Sequence, residues 1–199
     1  MDSWLQGDCM KDVRPAPIVD LTFTHQWQAE MLAARPLILP ARHFVYPRDA
    51  EEVERGALEI LIRPSEGKMP FLATCALGFR DAIVPTGLWS CPNANELCAV
   101  SGGYAYMLDT TAPERFTMIA YRPVLEVRPL RAQGLLLFVG HHAMLAWGAG
   151  SMAWESEKLS DEGITITSIE DGQLHGLDWN MMADKETPFA LDLRTGRRI

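Results

Sequence analysis

The stretch Gly102-Gly-Tyr-Ala-Tyr-Met-Leu-Asp-Thr110 decides how this chain is read. Its glycine pair marks a tight turn, and beyond it the period is two: Tyr104, Tyr106 and Leu108 share one face, and Ala105, Met107 and Asp109 the other. That alternation predicts a half-buried antiparallel strand with one wet face. Working outward, the same pattern recurs. Leu58, Ile60 and Ile62 alternate with Glu59, Leu61 and Arg63, Ile164 and Ile166 with Thr165 and Thr167, and Phe189, Leu191 and Leu193 with Ala190 and Asp192.

Turn signals separate these runs at short intervals, among them Pro64 to Gly67, Pro92 to Asn95, Thr110 to Pro113, Gly148 to Gly150, Asp161 to Gly163 and Asp171-Gly172. From Ala57 onward the spacing predicts about ten to thirteen short strands, the signal of an all-β sandwich, barrel or propeller. No long helical pattern interrupts them, which excludes βαβ folds. The N-terminal part has a different texture. HQWQAEMLAA has helix-forming composition, with Thr22 or Thr24 as N-cap and Arg35-Pro36 as stop, and Asp49 to Arg55 suits a further helical turn. The expected organisation is a partly helical segment over residues 1–56, packing on a β-rich domain over 57–199.

Gly102-Gly-Tyr-Ala-Tyr-Met-Leu and Gly140-His-His-Ala-Met-Leu-Ala begin 38 residues apart, near the repeat of a four-stranded propeller blade. The segment Gly103 to Thr110 and the ending Phe189-Ala-Leu-Asp-Leu-Arg-Thr-Gly196 resemble the inner hairpins of quinoprotein-like β-propellers, in which a strand running into Leu-Asp-x-x-Thr-Gly turns out of the sheet. Pro85-Thr-Gly-Leu-Trp, Cys91-Pro-Asn, Leu97-Cys-Ala-Val, Trp154-Glu-Ser, Leu159-Ser and Pro188-Phe resemble conserved bacterial proteins of unassigned function. The resemblance implies blade-like hairpins and carries no cofactor. From Ala57 to the end there are 143 residues, fewer than four blades of about 40 use, so the expected fold is mainly antiparallel all-β, a partial propeller or curved β-sandwich.

The 199 residues are 48% hydrophobic and 22% charged, which excludes a disordered, collagen-like or coiled-coil chain and provides for a core without staples. The net charge of −8 disfavours polyanions and anionic lipid. Its location is more telling: between Ser151 and Asp192 there are ten acids and two bases, and the rest of the chain is balanced. That segment is either a solvated surface or a face for a basic partner. The first twenty residues hold no signal-peptide core, and the uncharged run from Ala132 to Trp154 is broken by His141, His142 and Gly148-Ala-Gly150, so it reads as strands and not as a membrane span. Cys9, Cys75, Cys91 and Cys98 show no CxxC spacing, and a cytoplasmic chain with reduced thiols is expected.

No catalytic signature stands. Ser65-Glu-Gly-Lys68 matches S-x-x-K but sits in a turn, and no P-loop or H-E-x-x-H occurs. If the strand runs through them, His141 and His142 point to opposite sides, one buried and the other exposed. Either of them with His175 and Asp178 would make a metal site if their strands paired, giving a metal-dependent hydrolase or ligand-binding enzyme as the alternative. Trp154 and Trp179, if exposed among Glu155, Glu157 and the other acids, would form an apolar anchor with a charged rim. The leading expectation is a non-enzymatic binding or interaction module for a protein or small ligand, or for a second copy of itself, without cofactor, nucleic acid or membrane.

Overall fold

The computed structural model describes residues 16–48, 55–65, 67–182 and 184–199, which form sixteen strands, one 3-10 turn at Arg131–Gln133 and no α-helix. Sheet 2 holds β1 (Ile18–Asp20), β6 (Gly87–Ser90), β7 (Glu96–Ser101), β8 (Tyr104–Asp109) and β9 (Phe116–Met118) in that spatial order. Sheet 1 has the order β2-β4-β5-β3, from β2 (Trp27–Leu32), β4 (Ala57–Pro64), β5 (Phe71–Ala76) and β3 (His43–Tyr46). Sheet 3 is a meander of β10 (Glu126–Leu130), β11 (Leu135–Val139), β12 (Met144–Trp147) and β13 (Met152–Glu155). Sheet 4 is β14 (Ile164–Glu170), β15 (Gln173–Asn180) and β16 (Lys185–Asp192). All pairings are antiparallel except β1 with β6 and β3 with β5, where residues 16–48 add edge strands to sheets whose other strands come from later in the chain.

Strand alternation turns these sheets into a stack. One face of sheet 1 (Ile60, Ile62, Phe71, Cys75) packs on Leu97, Ala99, Tyr106 and Leu108 of sheet 2. The opposite face of sheet 2 (Cys98, Val100, Ala105, Met107) packs on Leu136, Phe138 and Leu145 of sheet 3. The other face of sheet 3 (Leu137, Val139, Ala146) meets Leu174, Phe189 and Leu191 of sheet 4. Among the described residues no buried cluster joins sheet 4 back to sheet 1. The chain is therefore an all-β, mainly antiparallel, unclosed propeller-like stack with two free ends.

Two expectations need correction. The segment from Trp27 to Leu32 is a strand and not a helix, because Trp27, Ala29 and Met31 point into the first core while Gln28 and Glu30 point out, and six residues of ladder to β4 outweigh helical propensity. The further helical turn expected from Asp49 lies outside the described residues apart from Arg55. The single wet face is wrong for the middle sheets: β8 is buried on both faces, since each of its faces meets a neighbouring sheet. The blade-like repeat has a physical basis. Gly102-Gly103 and Gly140 both occupy the turn between the second and third strands of the four-strand meander in their sheets.

The two hairpin ends that carry the resemblance share one device. At the end of β8, Asp109 Oδ1 accepts from the Thr111 amide (2.8 Å), the Thr111 hydroxyl (2.7 Å) and the Ala112 amide (3.0 Å), and Arg115 donates to Oδ2. At the end of β16, Asp192 Oδ1 accepts from the Arg194 and Thr195 amides at 2.8 and 3.0 Å. Burial pushes the Asp109 carboxyl up, but the four donated hydrogen bonds pull harder and hold it below its ordinary value.

Indole groups fasten the sheets to one another. Trp27 Nε1 of sheet 1 donates to the Glu96 carbonyl of sheet 2 at 3.0 Å, and Trp147 Nε1 of sheet 3 donates to the Glu96 carboxylate at 2.9 Å. Trp154 Nε1 of sheet 3 donates at 2.6 Å to the carbonyl of Leu193, just beyond sheet 4. Close approach is also built in at Gly176, where an added Cβ would lie 2.5 Å from the Phe189 ring and 2.7 Å from the Thr165 carbonyl.

Trp154→Phe keeps an aromatic ring but leaves the Leu193 carbonyl without its donor, and should lower the unfolding free energy by about 1–3 kcal/mol in urea titrations. Gly176→Ala should cost about 1–3 kcal/mol through overpacking. A carboxylate held below its unfolded value stabilises the fold fully above that value and loses the contribution as pH falls through the folded one. Asp109→Ala is accordingly expected to show a smaller decline in stability than the wild type between about pH 5 and pH 3, measured by denaturant midpoints.

Candidate functional site

The structure separates the residues proposed as metal ligands. β11 ends at Val139, so His141 and His142 lie in the turn to β12 and both are exposed. The opposed buried and exposed pair expected from period two is not formed, because the strand stops before it reaches them. His142 Nδ1 donates to the Ser160 carbonyl at 3.1 Å, while the His142 carbonyl accepts from the Leu159 amide at 2.7 Å; together these hold the loop between sheets 3 and 4.

His175 and Asp178 both belong to β15, and a separation of three places them on opposite faces. His175 is half-buried on the free face of sheet 4, between Ser168 and Ala190. Asp178 is 4% exposed on the inner face. There Arg198 donates to its Oδ2 at 2.7 Å and Thr187 to its Oδ1 at 2.5 Å, and Arg198 also reaches the Leu159 carbonyl at 2.9 Å. The carboxylate thus ties the final residues of the chain to the sheet. Among the described residues no group of three or more His, Cys, Asp or Glu side chains converges on a point that would hold a metal ion.

The proposed apolar anchor also divides. Trp154 is 7% exposed in the third core, under Gly196, so it is a fastening between sheets and not a surface anchor. Its burial follows from register: it pairs with Ala146, whose side chain faces sheet 4. Glu155 projects to the opposite side, exposed, and accepts from Tyr121 at 3.0 Å. Glu157 is exposed, 4.0 Å from Arg198. Trp179 alone among the four lies half-buried on the free face of sheet 4, one step from Leu177, with Glu186 opposite it. Cys75, Cys91 and Cys98 are buried and reduced, and burial raises each thiol well above its ordinary value.

The other end of the stack was missed. Residues 33–42 cross from β2 to β3, and Arg35 on this strap donates to Glu59 of β4 at 2.7 Å. Glu59 is buried and also accepts from Thr74 at 2.6 Å, and His43 Nε2 donates to Thr74 Oγ1 at 2.8 Å. Burial, with Arg35 nearby, holds the His43 imidazole below its ordinary value despite Glu59. The strap presents Leu37, Ile38 and Leu39 to solvent, the first two essentially uncovered at 105% and 88%. The signal was three consecutive apolar residues between Pro36 and Pro40, which suit neither a helix nor a ladder.

Asp178→Ala should leave Arg198 and Thr187 without their acceptor and cost about 1–3 kcal/mol, the ion pair being half open to solvent. A chelator such as EDTA should not move the wild-type unfolding midpoint, since the site is filled by Arg198. The chain matches no protein-family model and no curated protein. Among solved structures it is similar to the crystal structure of the N-terminal domain of Nup159, at 13% sequence identity and a TM-score of 0.36, covering 92% of this chain and 52% of that one. It thus spans about half the length of that structure. No helix among the described residues is long and apolar enough to cross a membrane.

Proposed function

We propose that this chain is a non-enzymatic interaction module whose partner is a second copy of itself, the strap of one copy docking on the free face of sheet 4 of the other. One observation carries the reading: both ends of the stack hold apolar side chains that no described element covers, and the last end alone carries an excess of acid. At the first end Leu37, Ile38 and Leu39 share the outer side of sheet 1 with Arg35 and Arg63, which pair with Glu59 and Glu30 and leave that side balanced in charge. At the last end Leu177, Trp179 and Pro188 are flanked by Glu170, Glu186 and Asp192, with Arg197 opposite Asp192 along the edge of β16. The apolar centre supplies the affinity, and the acidic rim of sheet 4 disfavours two such faces meeting each other.

The contact is between unlike ends, so it either closes a ring or propagates. Light scattering over a concentration series should show a dimer or larger species. The double variant Leu37→Glu with Ile38→Glu, on an exposed strap, should be a folded monomer, and Trp179→Ala should weaken association. A monomer mass for the wild type at high concentration would sink the proposal.

A further inference from the structure

A cavity of about 570 Å³ opens between sheets 1 and 2, at the end of the first core where β4 begins and β5 leaves. It lies beside the start of the strap, whose Ala33 adjoins it, and away from the free face of sheet 4. Leu58, Leu77 and Val84 contribute its apolar wall, and the exposed Arg55 and Arg80 stand at its mouth. Neither guanidinium has an ion-pair partner among the described residues; Arg80 donates to the Arg55 carbonyl at 2.9 Å, which keeps the two together. Asp81, also at the mouth, already accepts from the Ile83 amide at 3.1 Å.

Inside the cavity is the one buried side-chain polar atom among the described residues without a hydrogen-bond partner, the hydroxyl of Ser101. Its orientation follows from the strand. Leu97 and Ala99 of β7 face sheet 1, and Ser101 is next in that series, so its Oγ enters the gap between the sheets just past the last core residues. The residue is fully buried, and its backbone carbonyl is satisfied by the Gly78 amide at 2.9 Å. An orphaned buried hydroxyl is costly, and it is tolerated where something else completes it. The lining therefore runs from a cationic mouth, along an apolar wall, to a single buried group that both donates and accepts. The size falls within the range of sites for small organic molecules.

We propose that this cavity binds a small amphipathic carboxylate that carries a hydrogen-bonding group at its far end. Arg55 and Arg80 take the carboxylate, Leu58, Leu77 and Val84 cover the apolar body, and Ser101 pairs with the buried polar group. Arginine forks suit a carboxylate geometrically, and a site built around a hydroxyl rejects an analogue that lacks its partner group.

The test is isothermal titration of the full chain with octanoate and with ω-hydroxyoctanoate. The wild type should bind the hydroxylated acid at least about tenfold more tightly than octanoate. Ser101→Ala removes the orphan, so its melting temperature should stay level or rise, yet its preference between the two acids should vanish. Arg55→Ala with Arg80→Ala, both exposed, should weaken both acids by about tenfold or more with the fold unchanged. Absence of binding by the wild type overturns the proposal, which would leave Ser101 to a trapped water. An undiminished preference in Ser101→Ala, or unchanged affinities in the arginine double variant, overturns it equally.

Discussion

Indole N–H groups reaching across from one sheet to the next are the interaction on which the stack depends. Trp27 and Trp147 approach Glu96 from opposite sides, one taking its carbonyl and the other its carboxylate, so a single residue of sheet 2 registers sheets 1 and 3 together. Trp154 performs the same task between sheets 3 and 4. Apolar packing between sheets is nondirectional and tolerates sliding, whereas an indole placed in a core with its N–H on one carbonyl fixes rotation and translation at once. Glu96 is half-buried, and burial raises its carboxyl above the ordinary value even though the Trp147 hydrogen bond opposes the rise. The charge of Glu96 is thus tolerated at the junction because indole donation compensates part of its lost hydration.

From this registration the rest follows in sequence. Middle sheets covered on both faces must be apolar on both, which is why β6, β11 and β12 are buried at every position. The end sheets cannot be so covered. Sheet 1 answers with a strap and a buried chain of hydrogen bonds running through Arg35, Glu59, Thr74 and His43, and sheet 4 with strands that turn Ile164, Ile166 and Ile169 inward and Thr165, Ser168 and Glu170 outward. Both surfaces given a binding role lie at places where the apolar stack runs out: the ends, and the gap between sheets 1 and 2 beyond its last core residues.

What could be read from residue order divides along physical lines. Strand alternation at Leu58–Ile62, Tyr104–Asp109 and Phe189–Leu193 was legible because period-two patterning is local, and so was the Asp-centred turn that ends two of these hairpins. The strand at Trp27–Leu32 was not, because its residues favour a helix in isolation and only the ladder to β4 overrides them. The histidine pair was misassigned by two residues of strand length, since a strand ending at Val139 removes any alternation at His141. Trp154 and Trp179 are chemically alike and equally surrounded by acids in sequence. Only pairing register, which is set by partners far along the chain, sends one into a core and the other to a free face. Ser101 directly precedes the glycine turn, and nothing local distinguishes a satisfied serine from an orphaned one.

The uneven charge of the chain acquires a structural meaning in the open stack. Ten acids against two bases lie between Ser151 and Asp192, and the strands of sheet 4 present Glu170, Glu186 and Asp192 on their free face. Two such faces brought together would place like charges opposite one another with an apolar centre too small to offset the repulsion. Charge therefore selects against that like-to-like contact. For a fold with an uncovered sheet at its end, an acidic rim of this kind guards against face-to-face pairing of identical sheets.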